Sequence, residues 1–107
     1  MIVTPSSGVT GYRVTKTQGL VKGNTIRARH VGKDILAAFK NLVGGEVEEY
    51  TKMMAEAREQ AVDRMVAEAQ AAGANAIVDV RFSTSYMMSS ASEIMAYGTA
   101  VTIEKEG

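Results

Sequence analysis

A chain of 107 residues has room for one domain, taken as residues 1–107, and not for two. Basic and acidic residues number 12 each, and the resulting zero net charge argues against a dedicated nucleic-acid binder and against an electrostatic membrane anchor. With 46% hydrophobic residues the chain is not a disordered tail, and without cysteine it has neither a disulfide framework nor a thiolate.

Ile2 and Val3 read as a short opening strand, broken by Pro5, Ser6, Ser7 and Gly8. Residues 12–22 follow with a β-like pattern of Tyr12, Val14, Thr15, Thr17, Leu20 and Val21, and 25–30 alternate again up to His30. Gly23-Asn24 between two extended runs predicts a two-residue hairpin turn, because glycine tolerates the positive φ that such turns demand.

Gly32 interrupts the run, and Ile35, Leu36, Phe39, Leu42 and Val43 then recur at helical spacing, with Asp34 near the helix start. Gly44-Gly45 ends this short helix. A long helix is predicted over 46–72. Val47, Tyr50, Met54, Ala57, Ala61, Met65, Ala69 and Ala72 step along one face, while Glu48, Glu49, Lys52, Glu56, Glu59, Asp63 and Arg64 take the other. Gly73 closes it. The alanines let the helix lie close to whatever it covers, and Met53, Met54 and Met65 read as core filling.

Residues 76–86 form a strand, with Val78, Val80 and Phe82 on one side and Ile77, Asp79 and Arg81 on the other. A connection of small residues over 87–92 leads to the last strand, 93–104. One of its faces carries Met95, Tyr97, Thr99, Val101 and Ile103; the other carries Ile94, Ala96, Gly98, Ala100 and Thr102. The fold class expected is therefore α+β: a small, antiparallel-rich sheet with one short and one long helix.

The last strand is apolar on both faces, and two helices cover only one face of a small sheet. The second face needs another cover, and a symmetric homo-oligomer is the simplest source. No basic stretch precedes Met1-Ile2-Val3-Thr4-Pro5, and no apolar stretch approaches the length of a membrane span, so a cytoplasmic location away from membranes is expected.

Five segments are informative as an ordered set: Met1-Ile2-Val3-Thr4, then Gly44-Gly45 with Glu49-Tyr50, and Ala57-Arg58-Glu59-Gln60-Ala61. Gly73-Ala74-Asn75-Ala76-Ile77-Val78 and Gly98-Thr99-Ala100-Val101 complete it. In these segments and their order the chain resembles the YbjQ (UPF0145) family over nearly its whole length. The resemblance implies a subunit that assembles through intersubunit strand contacts into a ring, a homopentamer. It also brings a heavy-metal-binding label and no established activity.

The residue inventory narrows that label. With one histidine and no cysteine, a structural zinc site of those ligands cannot form within one subunit. The candidates left are intersubunit ones: His30 gathered near a ring axis, or Met87, Met88 or Met95 as thioether ligands. Adjacent Met87 and Met88 would point to opposite faces of an extended segment, which weakens them as a chelating pair.

Nothing else suggests catalysis. Asp79 and Arg81 could form a charged patch that orients a ligand, and more simply a solvated or intersubunit salt bridge. Ser89, Ser90 and Ser92 have no base or nucleophile elbow around them, and 19–23 lack the ending of a phosphate loop. The expectation is a non-catalytic oligomeric ring without a cofactor, holding a small ligand or a metal at its subunit interfaces.

Overall fold

The computed structural model of the chain describes residues 1–28, 45–88 and 91–107. Four strands and one helix make up this part: β1 (Ile2–Val3), β2 (Tyr12–Ala28), α1 (Gly45–Ala71), β3 (Ala76–Met88) and β4 (Ala91–Lys105). The sheet order is β1-β3-β4-β2. β1 pairs with β3 in parallel, and β4 is antiparallel to both β3 and β2. The α+β expectation holds, with a mixed sheet under one long helix. The short helix expected from Ile35 to Val43 lies outside the described residues.

The predicted hairpin at Gly23-Asn24 is replaced by a single 17-residue strand. Gly23 pairs with Ala96 and Asn24 with Met95, in register with the rest of β2. The glycine is there for space. An added Cβ would meet the Ala61 carbonyl oxygen and the Met65 nitrogen of α1, so the helix backbone passes directly over this point. The predicted connection over 87–92 is also mostly strand: β3 runs to Met88, β4 begins at Ala91, and the two residues pair.

The strand at 76–86 alternates as expected only up to Asp79. There the backbone turns to a φ of 54° and the register with β4 slips between Val78 and Arg81. This bulge puts two residues of β3 opposite one of β4 and reverses the alternation beyond it. Ile77 and Val80 consequently share the helix-side core, while Ala76 and Val78 pack on the other side with Val101, Ile103 and Val9. Within the protomer Asp79 and Arg81 do not pair with each other: the Arg81 guanidinium donates to the Pro5 and Val80 carbonyl oxygens, each at 2.9 Å.

Ala57, Ala61, Met65 and Ala69 of α1 are fully buried, against Val21, Ile77, Ile94, Ala96 and Ala100 of the sheet. From Met54 to Ala69 the stripe read from the sequence is the packed stripe; Ala72, expected to continue it, lies past the end of α1 and is exposed. Thr25 is the one buried polar residue among those described, and its hydroxyl donates to the Ala57 carbonyl at 3.0 Å. After α1, Gly73 takes a φ of 84°, the left-handed residue that ends the helix.

Asn75 then uses its side chain as an extra rung of the ladder. Its Nδ2 donates to the Ile103 carbonyl at 3.0 Å, and its Oδ1 accepts from the Ile103 N–H at 2.8 Å. Asn75→Ala is expected to cost about 1–2 kcal/mol, the loss of two hydrogen bonds partly shielded from water. Hydrogen exchange at the Ile103 amide checks it: exchange should quicken there and stay unchanged in α1.

The molecule is long for its mass. Its extents are 59 × 24 × 17 Å and its radius of gyration is 17.7 Å. A compact domain of this length has a radius of gyration of about 13 Å. The thinnest extent, 17 Å, accommodates one sheet and one helix layer, and the described residues form no third layer.

Candidate functional site

Two surfaces of this two-layer body are left open by the described residues. The first follows from where α1 sits. It packs over β2 and β4 and barely touches β3. A helix is about as wide as two strands, so a four-stranded sheet under one helix keeps a bare strip. Here the strip is the helix-side face of β3 beyond the bulge, carrying Phe82, Thr84 and Tyr86. Phe82 is 49% exposed and Tyr86 79% exposed.

Between this strip and the helix runs an open groove of about 530 Å³ lined by Ala55, Arg58, Glu59, Val62, Asp63 and Phe82. Its floor is aromatic and aliphatic, and its rim carries one cation and two carboxylates. Such a surface can hold an apolar group and orient a polar one beside it. Sequence reading placed Val62 and Val66 in no stripe. Both are partly buried against the core and broaden the apolar face of α1 towards β3. That broadening is the signal that could have located the groove.

The second surface is the sheet face opposite α1. At its lower end Val9 covers Val101 and Ile103. Higher up, no second layer lies over it among the described residues. Leu20 is 70% exposed and Ile26 58% exposed on β2, and Met95, Tyr97 and Thr99 of β4 are half-buried. Lys22 and Arg81 flank Tyr97 in one cross-strand row. The doubly apolar character of β4 is therefore real: Ile94, Ala96 and Ala100 are packed under α1, while Met95, Tyr97 and Thr99 lie on the open side.

Of the sequence-predicted metal candidates, only the Met95 side chain falls among those described. His30 lies outside the described residues. Met87 and Met88 fall at the end of β3, where the backbone alone is described. Met95 sits in the middle of β4, paired with Asn24 and Ser83. Among the described residues no three His, Cys, Asp or Glu side chains come together as a metal cluster. Among them, too, no helix is long and apolar enough to cross a membrane.

Comparison with known proteins agrees with the segments noted in the sequence. The family described as "Putative heavy-metal-binding", YbjQ, matches residues 1–104. A UPF0145 protein of Dehalococcoides mccartyi is 62% identical over 104 residues, covering 97% of this chain and all of that protein. A UPF0145 protein of Thermococcus kodakarensis is 52% identical over 106 residues, covering 99% of this chain and 93% of its own length. Among solved structures, a Pediococcus pentosaceus protein of unknown function from the DUF74 family superposes with a TM-score of 0.65. It covers 97% of this chain and 98% of its own at 16% identity, which is a likeness of fold alone.

The heavy-metal description can be tested against the donors in place. The described residues offer no cysteine, no histidine and no acidic cluster. Soft and borderline metals are held by thiolate and imidazole before carboxylate. The described residues do not fit such a centre.

Proposed function

The chain belongs to the YbjQ (UPF0145) family, and on that premise we propose that it works as a non-catalytic homo-oligomeric ring, a pentamer in the cytoplasm, that binds a small ligand at its subunit interfaces. The observation that carries this reading is the protomer's incomplete packing. A body 59 Å long and 17 Å thick, with Leu20 and Ile26 exposed on a sheet face that no described second layer covers, buries too little on its own. A neighbouring copy supplies the missing cover and repeats around an axis.

The ligand belongs in the groove beside Phe82. It lies at the outer margin of the sheet, where a neighbour would wall it in, and it joins an apolar floor to a charged rim. The site reads as one for binding.

Light scattering on the purified chain at micromolar concentration tests the assembly. One species of about five 11.4 kDa chains is expected, and a clean monomer overturns the reading. Mass spectrometry of the same sample under denaturing conditions shows whether an organic molecule travels with it.

A further inference from the structure

Arg58 occupies an unusual place on the face of α1 that meets the sheet. Met54 and Val62 lie about one turn to either side of it, and both pack against the core. Met65 and Ala69 continue the same row and are fully buried. A charged residue in that row breaks its apolar pattern. Arg58 can stand there because the row passes the bare strip of β3, where its side chain is exposed and lines the groove together with Phe82.

The other arginines whose side chains are described each have an acceptor. Arg13 pairs with Glu104, Arg64 donates to the Asn24 carbonyl oxygen, and Arg81 donates to those of Pro5 and Val80. Arg58 has neither a hydrogen bond nor an ion pair among the described residues. The strip across the groove holds no charge to answer it, since Phe82, Thr84 and Tyr86 are neutral. A guanidinium beside apolar side chains recognises a carboxylate through two parallel hydrogen bonds, which gain strength as water is excluded.

We infer that the groove takes a singly charged carboxylic acid with an apolar body. Arg58 holds the carboxylate, and Phe82, Ala55 and Val62 hold the body. The inference rests on the reading of this groove as the ligand site and adds the ligand's chemical class.

Glu59 and Asp63 decide how much charge the ligand carries. Both are exposed groove residues on one flank of α1, four positions apart. Glu59 is turned about 100° from the row of Arg58, away from the core. The apolar floor therefore adjoins the guanidinium, and the carboxylates stand further out. α1 as a whole carries seven acidic residues against three basic ones. A second negative charge on the ligand would face these carboxylates. A phosphate monoester, with about 1.5–2 charges at neutral pH, is disfavoured on the same ground.

Phenylacetate is the probe, measured by isothermal titration into the full chain, with amide NMR shifts at 58–63 and 81–83 to place it in the groove. Arg58→Gln is expected to weaken its binding about tenfold or more, the worth of a charge-assisted hydrogen bond. Arg58→Lys keeps the charge, loses the planar fork and should weaken it less. Lys16→Gln makes the same change in net charge at an exposed residue outside the groove, and binding should not change. Phenylmalonate has the same body and a second carboxylate. It should bind more weakly than phenylacetate, and Glu59→Gln combined with Asp63→Asn should close that gap.

Binding that survives Arg58→Gln undiminished overturns the inference, as does tighter binding of phenethylammonium than of phenylacetate; either result leaves the groove standing as a ligand site. Equal binding of phenylmalonate overturns the limit to one charge. No shift at the groove from phenylacetate, phenethylammonium or neutral benzyl alcohol at millimolar concentration overturns both the inference and the site.

Discussion

Replacing Gly23 with alanine is expected to lower stability by about 3 kcal/mol, the upper part of the range for forcing atoms into a packed interior. The new Cβ would fall on the Ala61 carbonyl oxygen and the Met65 nitrogen, with the Arg64 Cβ 2.8 Å away. A side chain in the way can rotate; a helix backbone cannot. Relief requires α1 to lift off β2, and lifting it there separates Ala57, Ala61 and Met65 from the sheet core they share. Gly8→Ala is the matched control, since an added Cβ there meets nothing within 4 Å. Urea denaturation of both variants at equal protomer concentration measures the difference. If Gly23→Ala unfolds within about 0.5 kcal/mol of the parent, as an ordinary surface change does, α1 does not cross β2 at this point.

Gly23 also shows why part of the fold was legible in the sequence and part was not. Glycine before asparagine signals a turn because glycine accepts positive φ, yet it equally signals a place where a backbone passes close by. The two demands leave the same letter in the chain. Only the position of α1, set by contacts far away in sequence, decides between them. Asp79 is a second case. Strict alternation puts Val78 and Val80 on one face, and a one-residue bulge sends them to opposite faces. Nothing in the residues beside Asp79 announces the slip.

The long helix was legible for the opposite reason. Its stripe of Ala57, Ala61, Met65 and Ala69 follows from helical geometry alone, and Gly73 stops it locally. The two apolar faces of β4 were legible as well, since a two-residue period is a property of any strand. Which face α1 takes, and that it leaves Phe82 beside an open groove, are tertiary facts. The candidate site was therefore missed, although Phe82 itself was read correctly as a strand residue. His30, the one imidazole, falls outside the described residues, so its expected role is neither placed nor moved.

Met65→Ala is expected to cost about 3 kcal/mol, within the 2–5 kcal/mol range for truncating a large buried side chain. Met65 is one of the three largest side chains that are fully buried, with Ile77 and Ile94. Its neighbours on the helix stripe are Ala57, Ala61 and Ala69. None of these can swing into the space that the thioether leaves, so the cavity stays largely open and the cost stays high. The helix itself does not suffer, because alanine is a better helix former than methionine; the loss is of packing between layers. Met65→Leu conserves most of the volume and should cost less than about 1.5 kcal/mol. The same denaturation experiment separates the two, with the slope against denaturant unchanged. A Met65→Ala loss below about 1 kcal/mol would mean that the layers close over the gap, and that the small residues lining this core permit a sliding helix where the structure shows a locked one.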